Sequence, residues 1–202
     1  MPGEVAERLN GYSGQGFSLR AEKNRLALPA AFRKAVIDSS GNERVLCLAK
    51  HDRWKCLAGF GLSRTDGFDT HLDREEERAT RLGRDFDRDL RSMQLWGFEQ
   101  VPFDASGRFV LPDHLAELGN LRDEVFFHGA GEFFTLWSPQ ELYAMGEGWE
   151  GPQAACRKLS GRSDQFARTA VAPYGTSGSE IRRTRPSCRP QFCPTPLAGS
   201  SP

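Results

Sequence analysis

Long apolar runs are missing from this sequence. No stretch approaches the ~20 consecutive apolar residues that a membrane-spanning helix needs. The opening MPGEVAERLNGYSGQGFSLR also lacks the apolar centre of a secretory signal, so a cytoplasmic protein is expected. Cysteine is sparse: Cys47, Cys56, Cys156, Cys188 and Cys193 make an odd number with no Cys-x-x-Cys pair. Reduced thiols, buried or idle, are the reading rather than a disulfide framework or a metal knot. His51, His71, His114 and His128 are scattered without zinc spacing. There is no Gly-x-Ser-x-Gly elbow, and GAGEFF lacks the context of a phosphate-binding loop. The Glu75-Glu76-Glu77 run reads as a helix surface rather than a carboxylate pair. These absences argue against an enzyme, and no cofactor, metal or small-molecule substrate is expected.

Net charge is also absent, 27 basic against 27 acidic residues, but the balance hides a split. Residues 1–150 hold 19 Lys+Arg and 25 Asp+Glu, whereas residues 151–202 hold 8 and 2. The first fifty residues hold 8 and 5, so the amino end is locally basic on an acidic body. The low apolar fraction of 38% with 21 Gly and 12 Pro implies that part of the length does not pack. That part is read as residues 149–202, a basic tail rich in Ser, Pro and Arg and expected to be disordered. Its IRRTRPSCRP stretch suits non-specific phosphate contacts.

Two segments share one order of parts. The first is NRLALPAAFRKAV, a break at residues 40–43, then RVLCLAKHDRWKCLAGF. The second is GRFVLPDHLAEL, a break at residues 119–122, then EVFFHGAGEFFTLWSPQEL. In each, an Arg precedes a short apolar strand, a Pro and an amphipathic helix, and a hairpin follows. Pro29 and Pro112 suit a first helical turn, where a missing N–H is harmless. Phe32, Val36 and Ile37 line one helix face, Leu115 and Leu118 the other. Residues 45–49 and 55–60 form the first predicted hairpin and residues 125–128 and 133–137 the second, turning on Gly129-Ala130-Gly131. Between the copies one helix is predicted from about Thr70 to Ser92, with Thr70 and Asp73 as a capping box and Leu72, Ala79, Leu82, Phe86, Leu90 and Met93 on one face. A further helix is predicted after Trp137, with Ser138 as N-cap, Pro139 at its first position and an end near Gly146.

The segment Phe103 to Pro112, FDASGRFVLP, carries most of the functional signal. Asp104 is placed to cap its own turn, Gly107 to take a left-handed conformation, and Arg108 to follow at the start of a strand. A guanidinium held out by a stiff turn suits bidentate contact with guanine or phosphate. In the first segment Arg20, Lys23, Arg25, Arg33 and Lys34 supply the local positive charge. Of these, Arg33 and Lys34 read as plain helix-surface residues.

FDASGRFVLPDHLAEL…EVFFHGAGEFFTLWSPQELYA resembles the second half of the MraZ family, whose mark is a D-x-x-G-R turn leading into a strand and a Pro. AEKNRLALPAAFRKAV resembles the family's first D-x-K-G-R-L segment. The resemblance spans roughly residues 14–148. It implies an α+β, mainly β fold: a swapped-hairpin, AbrB-like β-barrel of two pseudo-symmetric SpoVT/AbrB-like halves with short covering helices. The halves would be residues 14–62 and 95–148, joined by the connecting helix in 63–94. It further implies a sequence-specific transcriptional regulator, usually a repressor, on the nucleoid. Such a protein binds repeated boxes of double-stranded DNA in the promoter of the division and cell-wall gene cluster, its own gene included, as a ring-shaped homo-oligomer. The family's DNA-contacting arginines fall on Arg25 and Arg108, and its first-turn lysine on Lys23; the resemblance thus implies Arg25 as a base reader and Lys23 and Arg20 as phosphate contacts. The first turn departs from the pattern. Ala21 stands where the family has Asp, and Asn24 where it has Gly. Asn tolerates the left-handed region, so that exchange is mild; the lost Asp removes a turn cap. This departure sustains the alternative of a ring-forming scaffold, or of a paralogue impaired in DNA binding.

Overall fold

The computed structural model describes residues 11–170, with side chains described through residue 161. The chain divides into the units Met1–Ala170 and Val171–Pro202, the second of which lies outside the described residues. So do Cys188, Cys193 and the IRRTRPSCRP stretch.

The elements follow from alternation and punctuation. Strand β1 is Gln15–Leu19, β2 Arg25–Ala27, β3 Val45–Lys50, β4 Leu57–Phe60, β5 Glu99–Pro102, β6 Arg108–Val110, β7 Glu124–Gly129 and β8 Phe134–Trp137. The helices are α1 Ala30–Ser39, α2 Phe68–Arg81, α3 Arg88–Trp96, α4 Asp113–Leu118, α5 Pro139–Tyr143 and α6 Glu150–Ala170. The architecture is α+β around antiparallel β-structure. Six strands form a sheet in the order β1-β7-β8-β4-β3-β5, and β2 pairs with β6 in a separate two-stranded ribbon. The six-stranded sheet is open, with β1 and β5 at its edges, so the strand ladders of the described residues do not close the barrel that the resemblance implies.

The strand exchange is the informative part. β1 pairs with β7, putting Phe17 opposite Phe126, and β5 pairs with β3, putting Val101 opposite Leu46. At the centre β4 meets β8, Gly59 opposite Phe134. The strand just before the first segment thus adds to the hairpin of the second, the strand just before the second adds to the hairpin of the first, and neither sheet edge exists without both. Gly59 lies beneath the Phe134 ring; a Cβ there would sit 2.6 Å from ring carbons, which accounts for glycine in mid-sheet. Phe32 of α1 stacks on Phe134 with centroids 4.8 Å apart and seals the core with Leu26, Leu111 and Phe109.

Several local expectations are corrected. The helix predicted from Thr70 to Ser92 is two helices. Gly83 adopts φ +60 and Arg84 N–H donates to the Ala79 carbonyl at 3.0 Å, a glycine-terminated stop. Asp87 then caps α3 by accepting from Leu90 N–H at 2.9 Å. Thr70 caps nothing, because α2 begins earlier, at Phe68. The proposed continuous apolar face is lost with the break: Leu72 is buried, but Leu82, Leu90 and Met93 are exposed. Pro29 and Pro112 precede α1 and α4 as cap residues, one position before the predicted one. In α4 the buried pair is Leu115 and Ala116, whereas Leu118, the last residue of the helix, is exposed. Pro139 does open its helix, but Ser138 makes no side-chain cap bond and α5 stops at Tyr143.

The largest correction concerns residues 149–202. Their first part is not a disordered tail: α6 runs from Glu150 to Ala170. Cys156 of α6 packs in a second core with Cys56, Phe126, Trp137 and Leu142, against which Trp54 and Trp149 rest. Trp149 meets the edges of Trp54 and Trp137 at 4.8 and 5.2 Å. Cys47, Cys56 and Cys156 are free and buried; burial pushes the thiols of Cys47 and Cys56 up to about 11 and about 12, which leaves them un-ionised and inert near neutrality. Among the described residues no helix is long and apolar enough to cross a membrane.

Candidate nucleic-acid interface

Two turns lead into the β2–β6 ribbon, one from each segment. The second, Asp104 to Gly107, is built by its carboxylate. Asp104 Oδ1 accepts from Ser106 N–H at 2.8 Å, Ser106 Oγ–H at 2.6 Å and Arg108 N–H at 2.9 Å. The Ser106 hydroxyl and the Arg108 and Ser106 amides hold the Asp104 carboxyl below its ordinary pKa. Asp104 N–H returns a bond to the Arg108 carbonyl at 2.9 Å, and Gly107 takes φ +84, which an L side chain rarely adopts. Asp104 therefore hydrogen-bonds the backbone of Arg108, and the Arg108 guanidinium acts on the carboxylate only through its charge.

The first turn reaches a related shape by other means. Ala21 supplies only its backbone, its N–H donating to the Arg25 carbonyl at 2.8 Å. Lys23 and Asn24 both take positive φ, 59 and 57. The missing carboxylate is replaced by Asn24, whose Oδ1 accepts from Nε and Nη2 of Arg20 while its Nδ2 donates to Asp113 Oδ1. Arg20 also donates to the Leu121 carbonyl at 2.8 Å. Half-buried and engaged at three nitrogens, Arg20 sits as a brace behind the turn rather than as an outward cation.

Each turn is also held by the other segment. Leu28 N–H donates to the Gly107 carbonyl at 2.8 Å, and Leu111 N–H donates to the Asn24 carbonyl at 2.9 Å, a reciprocal pair. Asp113, at the start of α4, holds the first turn through Asn24. Arg33, from α1, donates to the Ala105 carbonyl in the second turn and to the Leu28 carbonyl, both at 3.3 Å. Arg33 is thus half-buried against the turn rather than a plain surface residue, while Lys34 is exposed. Sequence patterning does not show the roles of Arg33 and Asp113, because Ala105 and Asn24, which they hold, lie in the opposite segment.

In the ribbon Leu26 stands opposite Phe109, flanked by Arg25 opposite Val110 and Ala27 opposite Arg108. Leu26 and Phe109 are buried, and the four flanking residues are exposed. Alternation therefore puts Arg25 and Arg108 on one outward face as diagonal neighbours, a relation that places Cα atoms about 7–8 Å apart. Among the described residues neither guanidinium has a hydrogen bond or ion pair. Lys23 projects from the first turn, exposed, and Val110 joins the same face at 53% exposure. Of the residues singled out in the sequence, Arg25, Arg108 and Lys23 lie on or beside one outward surface. Asn24, Asp104, Gly107 and Arg20 shape it from behind. Among the described residues no group of three or more His, Cys, Asp or Glu is placed to hold a metal ion.

No protein-family model matches the chain. Curated relatives do. The transcriptional regulator MraZ of Parvibaculum lavamentivorans is 35% identical over 135 residues, 65% of this chain and 78% of the relative. That of Roseiflexus sp. is 32% identical over 119 residues, 59% of this chain and 75% of the relative. That of Caulobacter vibrioides is 30% identical over 123 residues, 60% and 73%. On this similarity, spanning more than two thirds of each of these relatives, the chain belongs to the MraZ family of transcriptional regulators.

Proposed function

We propose that the protein is a sequence-specific DNA-binding transcriptional regulator whose β2–β6 ribbon enters the major groove. The observation that carries this reading is the diagonal pair Arg25 and Arg108, unpaired and outward on a ribbon whose opposite face is buried. A two-stranded ribbon fits the major groove, and an Arg can bridge O6 and N7 of guanine. Lys23 is assigned to a phosphate, and Ala27 and Val110 offer apolar contact to thymine methyls. Arg20 contributes by holding the first turn. The acidic body is no obstacle, because the basic groups need only share one face.

In this reading the two segments are SpoVT/AbrB-like halves, and the strand exchange between them supports that assignment. The protein acts as a repressor on repeated boxes upstream of division and cell-wall genes, its own included, on the nucleoid. One ribbon has few contacts, and non-specific affinity of such a module is about 10⁻⁴–10⁻⁶ M at physiological salt. A homo-oligomer on repeated boxes multiplies this by avidity. The exposed apolar stripe of Leu90, Met93 and Trp96 on α3 supports self-association.

The test is a gel shift with DNA from upstream of the protein's own gene, over a salt series. Arg25→Ala and Arg108→Ala each weaken the specific shift roughly tenfold and flatten the salt slope by about 1 where a phosphate contact is lost. If both variants shift that DNA as the parent does, the ribbon is the wrong surface. If no upstream DNA shifts while the protein still assembles, the scaffold reading takes its place.

A further inference from the structure

Four arginines among the described residues are half-buried: Arg20, Arg33, Arg64 and Arg91. Three are explained by what they touch. Arg20 and Arg33 hold the turns, and Arg91 pairs with Glu75 at 2.6 Å and Asp52 at 2.9 Å. Arg64 differs. Its guanidinium lies over Phe133, Phe60 and Phe68, at 4.6, 4.9 and 5.9 Å from the ring centroids. Among the described residues its side chain has no hydrogen bond and no carboxylate within 4.0 Å. Stacking on aromatic faces stabilises the plane of a guanidinium, and its N–H donors, which lie in that plane, are left without a protein partner.

Arg64 lines a cleft of about 1000 Å³ between α1, the residues before α2, and α2 itself. Hydroxyls gather there. Ser39 and Ser63 share a bond at 2.7 Å, and Tyr12 Oη accepts from Gly61 N–H at 2.7 Å. Phe68 and Leu95 supply apolar wall, and Asp38 and Glu132 lie on the lining as well. Burial lowers the pKa of Arg64, a cost that Glu132 and Asp52 offset only at a distance. A half-buried guanidinium whose donor edge has no protein partner and faces an open volume beside hydroxyls can serve as half of a charge-assisted pair.

We propose that this cleft is a binding site for a small ligand bearing one carboxylate or phosphate, with Arg64 as the anchor of the anionic group. The hydroxyls of Ser39 and Ser63 complete its hydrogen bonds, and an apolar body of the ligand lies against Phe68 and Leu95. The site is separate from the ribbon and does not depend on the DNA-binding reading.

The test is nuclear magnetic resonance titration of the full chain with two probes, benzoate and inorganic phosphate, against sodium chloride at matched ionic strength. One probe is expected to shift the Arg64 side-chain N–H and the Ser39 and Ser63 amides to saturation below about 50 mM, with binding roughly tenfold weaker in Arg64→Met. Methionine keeps apolar cover over the rings. Arg64→Lys, which keeps the charge, checks folding and is expected to retain weaker binding. Saturation by benzoate alone or phosphate alone names the head group. Failure of both probes to saturate, an equal response to chloride, or undiminished binding by a folded Arg64→Met overturns the proposal.

Discussion

The guanidinium of Arg33 lies over Gly107 so closely that a Cβ on that glycine would stand 2.5 Å from Nε and 2.7 Å from Nη2. A helix of the first segment thus closes over the turn of the second, and the path to Arg108 is built from both. Gly107→Ala meets two penalties there, the φ of +84 and the guanidinium. The expected cost is about 1–3 kcal/mol in urea unfolding. Arg33→Ala removes the second penalty only, so the double variant should lose less than the sum of the singles by about 0.5 kcal/mol or more. Strict additivity would show that Arg33 swings away freely and braces nothing.

Asp104 should matter through its oxygen rather than its charge. Asp104→Asn keeps an acceptor for the amides of Ser106 and Arg108, whereas Asp104→Ala removes all three bonds. In the gel shift Asp104→Ala is expected to weaken DNA binding roughly five- to tenfold and Asp104→Asn much less. Because its folded pKa is depressed, the bonded turn is complete above the unfolded value of about 3.9 and is lost as pH falls through the folded one. Equal binding by the Ala and Asn variants would refute the role assigned to the oxygen.

Two histidines set a higher acid limit. Burial lowers the pKa of both His51 and His128. His51 uses Nδ1 to accept from the amides of Arg53 and Trp54 at 3.1 and 3.3 Å and stacks on Trp54 at 4.6 Å. Both are neutral in the folded state, so below about pH 6.5 the unfolded chain binds more protons. Stability is full above that value and declines as pH falls through it toward the folded pKa. The melting temperature should hold from about pH 8 to 7 and drop from about 6.5 to 5. His128→Gln should shallow that drop; an unchanged slope assigns the effect to other groups.

Self-association is expected to run through α3. Leu90, Met93 and Trp96 are 49%, 66% and 47% exposed on one side of the helix. Ion pairs from Arg88 to Asp73 at 2.7 Å and from Arg91 to Glu75 at 2.6 Å fasten α3 to α2, so the stripe is presented rather than collapsed inward. Met93→Glu should reduce the mass measured by light scattering toward the monomer without lowering the melting temperature by more than a few degrees. If the assembly persists unchanged, its contacts lie elsewhere.

Much of this was legible in residue order because it depends on neighbours. Alternation around Leu26 and Phe109, the glycine at 107, Asn24 in a left-handed position and the carboxylate of Asp104 all act within a few residues. Local chemistry alone selects them. The signal for the break at Gly83 is equally local, but the helix formers and periodic apolar residues on both sides of it point to one continuous helix. Helix α6 was hidden because its core contacts, Cys156 against Phe126 and Trp137, belong to strands far back in the chain.

What the sequence by itself determined is the set of parts: two short strands each led by an arginine, two stiff turns, and the hairpins that follow. Tertiary structure decided how the parts combine. It placed the strand that precedes each segment on the hairpin of the other, set Arg25 and Arg108 diagonally on one face, and recruited Arg20, Arg33 and Asp113 as braces. The physical reason is that a strand fixes only which side its residues face. Which strand lies next to it is set by burial summed over the whole core, and no local window contains that sum.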